Sequence, residues 1–157
     1  MVKLSVGSKL PRFSLPDQDG TMVSSSDFAG KWVVLYFYPK DDTPGCTIEA
    51  IDFSKLNKDF ARLGVEVIGV SANSTKSHCK FIKKHDLKLR LLSDESTKVL
   101  ERFGVWGKKK FMGREYMGVL RSTLVIGPDG KIAFVWRDVN VKGHAQEVLE
   151  KVRTLKK

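Results

Sequence analysis

The run Trp32 to Tyr38 (WVVLYFY) is apolar from end to end, is closed by Pro39, and leads through KDDTPGC into a helical pattern. Aromatic and β-branched residues with no polar alternation read as a strand buried on both faces, the kind found at the centre of a parallel or mixed sheet. Thr43 suits a helix N-cap and Pro44 the first helical position. Phe53, Leu56, Phe60 and Leu63 then recur at helical spacing, predicting one helix over 43–64 that Gly64 stops. The strand Val65–Val70 (VEVIGV) follows directly. Strand, helix, strand in this order predicts a right-handed βαβ unit.

At the strand-to-helix junction stands Cys46, directly after Pro44 and Gly45. The first N–H groups of a helix lack internal partners, and the helix dipole adds positive potential there. A thiol in that position is expected to ionise readily and act as a nucleophile. The alternative is a buried structural thiol, but a strand-to-helix turn is expected to be reachable. Asp41 and Asp42 work against a thiolate, so they must point away or be outweighed by a cation. Arg121 is the candidate. It starts the strand Leu120–Ile126, which would neighbour Trp32–Tyr38 and bring the guanidinium to the turn; the alternative is a surface arginine.

The remaining pattern fits the same class. PDQDG predicts an N-terminal hairpin with Phe13 and Leu15 on one side and Met22 and Val23 on the other, and SSSD at 24–27 opens a single helical turn. A helix is expected over 75–85, a short strand over 89–92 and a short helix over 97–103. Residues 104–118, with four glycines and Lys108–Lys110, read as a loop or irregular hairpin. GPDG joins Leu120–Ile126 and Lys131–Trp136 as an antiparallel pair, and an amphipathic helix closes the chain over 143–155. The expected fold is α/β, a mixed central sheet with helices on both faces, in one domain over 1–157.

Composition narrows the function. Hydrophobic residues make up 41% and charged residues 29% of 157, as in ordinary globular proteins. No apolar run approaches a membrane span, and MVKLSVGSKLPRF has no signal-like apolar core, so a cytoplasmic protein is expected. Two cysteines in such a chain are more often reduced, redox-active or buried than structural. The net charge of +10 raises nucleic acid as a partner, yet the lysines are scattered, which describes a solvated surface.

PKDDTPGC carries the spacing Pro-x-x-x-Thr-x-x-Cys of the peroxiredoxins. Together with YFYPKDDTPGCTIEA, FGVWGKKKFMG, RSTLVIGPDGKI and KGHAQEVL, it makes nearly the whole chain similar to the bacterioferritin-comigratory, or peroxiredoxin Q, branch. The resemblance implies a thioredoxin-like fold with an N-terminal hairpin extension, and a thiol peroxidase acting on hydrogen peroxide and organic hydroperoxides. It implies Cys46 as the peroxidatic cysteine, Thr43 as a peroxide-binding hydroxyl, Pro39 as a shield, Arg121 as the activator of the thiolate, and Glu49 as the residue orienting that arginine. It also implies a thioredoxin-type reductant, a monomer, and neither metal nor organic cofactor. In many members a resolving cysteine lies five residues after the first; here that position is Ile51. Others carry it on the following helix, where Cys79 lies 33 residues beyond Cys46. Cys79 is therefore either a resolving cysteine, reached after local unwinding, or an ordinary helix thiol in a one-cysteine enzyme resolved from outside.

Two rivals stand beside this reading. A disulfide oxidoreductase on the same fold lacks its Cys-x-x-Cys, since residue 43 is Thr and residue 49 is Glu. A binding module for nucleic acid or a protein client rests on charge alone. His78, His85 and His144 match no standard metal spacing and are expected at the surface or at caps.

Overall fold

The computed structural model describes residues 4–157. The N-terminal hairpin pairs β1 (Ser14–Pro16) with β2 (Met22–Ser24), followed by a 3-10 turn at Ser25–Phe28. Asp17 makes the hairpin turn by accepting from the backbone N–H groups of Asp19 and Thr21. Then come β3 (Trp32–Phe37), α1 (Pro44–Lys55), α2 (Asn57–Arg62), β4 (Val65–Ser71), α3 (Thr75–His85) and β5 (Arg90–Ser93). The second half holds α4 (Lys98–Arg102), β6 (Trp106–Phe111), β7 (Arg114–Val119), β8 (Ser122–Ile126), β9 (Ile132–Trp136) and α5 (His144–Leu155).

Five strands form the central sheet in the order β5-β4-β3-β8-β9. β3 pairs parallel with β4 and antiparallel with β8, so the sheet is mixed, as expected. The two parallel crossovers, β3-α1-α2-β4 and β4-α3-β5, step in the same direction. Right-handedness therefore lays α1, α2 and α3 on one face. The strand alternation shows both cores: Val34, Tyr36 and Tyr38 face Phe53, Phe60, Phe81, Val148 and Leu149 from those helices and α5. Val33, Leu35 and Phe37 face the N-terminal hairpin and Val99, Leu100 and Phe103 around α4.

Tyr36 stacks on Phe53 with ring centroids 4.7 Å apart, fastening α1 to β3. Burying such a side chain contributes about 1.5–3 kcal/mol. Gly69, opposite Tyr36 on β4, makes room for it: a Cβ there would come within 2.8 Å of both the Tyr36 ring and Leu91.

Three expectations are corrected. The helix over 43–64 is two helices, because Leu56 leaves helical geometry with ψ near 3°. Residues 104–118 hold a regular ladder, β6 with β7, closed by a two-residue turn in which Met112 (φ 51°) and Gly113 (φ 81°) are both left-handed. His78 and His144 are buried: His144 bonds the Thr123 hydroxyl through Nε2, and desolvation pushes its pKa down.

Candidate active site

β3 and β8 run antiparallel, with Phe37 opposite Ser122. The end of one strand therefore meets the start of the other. Arg121, one residue before β8, comes to the turn that leaves β3 and opens α1. Arg121 Nη2 donates to Cys46 Sγ at 3.3 Å, and Nη1 donates to Glu49 Oε1 at 2.7 Å. The planar guanidinium meets the two partners with two separate nitrogens held in a fixed fork, a geometry a single ammonium does not provide.

The site is less open than the turn suggests. Cys46 is 1% exposed, correcting the expectation of a freely reachable thiol. It sits in the first turn of α1 and packs into the core layer between that helix and β3, and both it and Cys79 are free thiols. Glu49 is equally buried, and its Oε2 has no hydrogen-bond partner among the described residues. Burial pushes the Glu49 carboxyl up to about 7, against the opposing pull of Arg121. Partial burial disfavours the Arg121 charge, but Glu49 and Cys46 outweigh it, so its ionisation is pushed up.

Pro44 occupies the first position of α1 and the Thr43 side chain makes no capping bond. Thr43 Oγ1 instead donates to the Lys40 carbonyl at 2.7 Å. That spends its hydrogen and leaves its lone pairs to accept one. The N–H groups of Gly45 and Cys46 fall in the first turn, ahead of the first intrahelical bond from Thr47 N to Thr43 O. Pro39, half-buried, follows Tyr38 at the strand exit.

The two acidic residues of the turn are drawn away, as the chemistry requires. Asp41 is buried and collects donors: Tyr38 Oη at 2.5 Å, Ser77 Oγ at 2.8 Å and His78 Nδ1 at 2.7 Å. His78 is itself fixed through Nε2 to the Leu92 carbonyl. The Asp41 N–H donates to Asn73 Oδ1. Asp42 faces Lys84 and His85, and the hydrogen bonds from His85 and then Lys84 hold its carboxyl below the usual range. Sequence reasoning missed this clasp, because nothing in the spacing of Tyr38, Asp41 and His78 marks a network. Cys79, next to His78 on α3, is a half-buried free thiol with no hydrogen bond among the described residues. The turn and α3 are thus joined by Asp41 and Asp42, while the two cysteines remain apart as thiols.

The pattern of the AhpC/TSA family matches residues 6–135. A peroxiredoxin Bcp of Bacillus subtilis is 45% identical over 152 residues, covering 97% of each chain. The chain belongs to the peroxiredoxins, in the bacterioferritin-comigratory branch. The Escherichia coli peroxiredoxin Bcp is 44% identical, covering 95% of this chain and 96% of its own. Among solved structures, a peroxiredoxin Q variant of Xylella fastidiosa superimposes with a TM-score of 0.94 over the full length of both chains at 35% identity. The bacterioferritin comigratory protein of Xanthomonas campestris does so at 0.87 over 92% of each, at 38% identity. The fold of this peroxiredoxin is the thioredoxin-like one its sequence implies.

Proposed function

We propose that this peroxiredoxin reduces hydrogen peroxide and organic hydroperoxides at Cys46, with a second thiol completing the turnover. The observation that carries the reading is the Arg121 fork, which joins Cys46 Sγ to a buried carboxylate at the start of α1. The Xanthomonas relative, studied for alkyl peroxide reduction, supports the organic substrate class.

The chemistry follows from the donors. The Cys46 thiolate attacks the terminal oxygen of R–O–OH. An S–O bond forms, the O–O bond breaks, and RO⁻ leaves and takes up a proton as ROH. Charge spreads over both oxygens, and fixed donors that meet it there lower the barrier. The Arg121 guanidinium and the N–H groups of Gly45 and Cys46 are those donors; Thr43, with lone pairs free, accepts from the peroxide O–H. Pro39 keeps water from one side. Glu49 holds Arg121 in register. The product is a sulfenic acid.

Cys79 is the resolving thiol in this reading. Its attack releases water and forms a Cys46–Cys79 disulfide, which a dithiol protein of the thioredoxin type reduces. Because Cys46 is buried in the first turn of α1, that turn opens for the two α-carbons to come within about 7 Å. The protein acts as a monomer of one domain in the cytoplasm. The test is Cys46→Ser in a coupled peroxide-consumption assay: turnover is expected to vanish, and retained turnover overturns the assignment.

A further inference from the structure

A second cation, Lys109, is fixed two residues from the Arg121 that bonds Cys46. Lys109 lies on β6, opposite Tyr116 of β7. Its neighbours Lys108 and Lys110 are exposed, and Lys108 reaches Glu115 at 3.9 Å. Lys109 behaves differently. Its side chain folds across the ladder over Gly118, where a Cβ would stand 3.1 Å from Lys109 Cδ. Its Nζ donates to the carbonyl of Val119 at 3.0 Å, two residues ahead of Arg121. Among the described residues no carboxylate pairs with it, whereas Arg121 is paired with Glu49.

That placement has an electrostatic meaning. An ammonium taken partly out of water beside another cation is disfavoured, and both effects are present: desolvation first, and then Arg121, push its pKa down. The opposing pull comes from Cys46. Among the described residues, Arg121 ahead of β8, Glu49 on α1 and the buried Tyr36 on β3 also surround the thiol, and His144 on α5 lies in the field of Arg121. Desolvation raises Tyr36 well above its ordinary value, so it carries no charge near neutrality. When Glu49 is ionised it cancels much of the Arg121 charge. Lys109 then adds beside Arg121 a positive charge that no carboxylate pairs among the described residues.

We propose that Lys109 is a second positioning cation for the peroxide reaction, stabilising the Cys46 thiolate and the charge passed to the leaving oxygen, and that Gly118 is the notch through which it reaches. This rests on Cys46 being the nucleophile, but its test does not need peroxide turnover. The pH profile of Cys46 alkylation by iodoacetamide, located by mass, is compared for native protein, Lys109→Met, Lys109→Arg and Gly118→Val, each checked for native circular dichroism. Lys109→Met is expected to move the profile to higher pH, slowing alkylation near neutrality by about three- to tenfold. Lys109→Arg keeps the native profile. Gly118→Val retains the lysine but fills the notch, and follows Lys109→Met. Superimposable native and Lys109→Met profiles overturn the proposal, and so does an arginine variant as slow as the methionine one. Loss of peroxidase activity by another cause leaves these profiles unchanged, so the two readings fail separately.

Discussion

Glu49 is the residue whose environment is most at odds with its chemistry. It is buried with one oxygen unpartnered, and burial dominates over Arg121 in setting its pKa near 7. The sign of the pH dependence follows. The folded state holds this proton more tightly than an unfolded carboxyl at 4.5, so the contribution to stability is full below 4.5 and is lost as pH rises through about 7. Urea titrations at pH 5 and pH 8 should show the native protein losing on the order of 3 kcal/mol more than Glu49→Gln over that interval. Equal losses in the two proteins contradict a raised Glu49. The residues of the site were legible unevenly. Cys46, Thr43 and Pro39 announce themselves by sitting in one short string. Arg121 is legible only through the fold, because nothing local separates it from a surface arginine. Lys109 is hidden inside a lysine run whose flanking members are exposed.

Among the elements, β3 leads into the site and pairs with β4 at one closely packed position. Gly69→Ala would drive a methyl into Tyr36 and Leu91 at 2.8 Å, in a layer where both neighbours are fully buried. Overpacking of this kind costs about 1–3 kcal/mol. The urea midpoint should fall accordingly, and an unchanged midpoint shows that Tyr36 can move away. Most elements were readable from periodicity and punctuation: α3 matches its expected span, and Gly64 ends the α1–α2 segment with a left-handed φ of 73°. The β6–β7 ladder was not. Its turn places a methionine, not the usual Asn or Asp, in a left-handed position, and four glycines over 104–118 look like a loop. The break at Leu56 left no mark either, since the apolar spacing runs through it.

Taken as a whole, the molecule sets the two steps of its reaction against each other. On the mechanism proposed above, attack needs α1 folded, so that Cys46 meets Arg121, and resolution by Cys79 needs the first turn of α1 released. Asp41 and Asp42 tie the intervening turn to α3, the helix that carries Cys79, so the opening need not separate the two segments. After one equivalent of peroxide, intact mass should fall by about two units with no free thiols left, as an internal disulfide requires. A gain of oxygen, or a disulfide-linked dimer, assigns resolution to another molecule. Burial of Cys46 was the whole-molecule property hardest to foresee, because it depends on packing from elements far along the chain as well as from β3 and α1.

The arginine that bonds the thiol arrives late. Cys46 and Arg121 are 75 positions apart, joined only when β8 docks against β3. A chain still emerging from the ribosome carries its thiol long before the guanidinium that the proposed reaction needs.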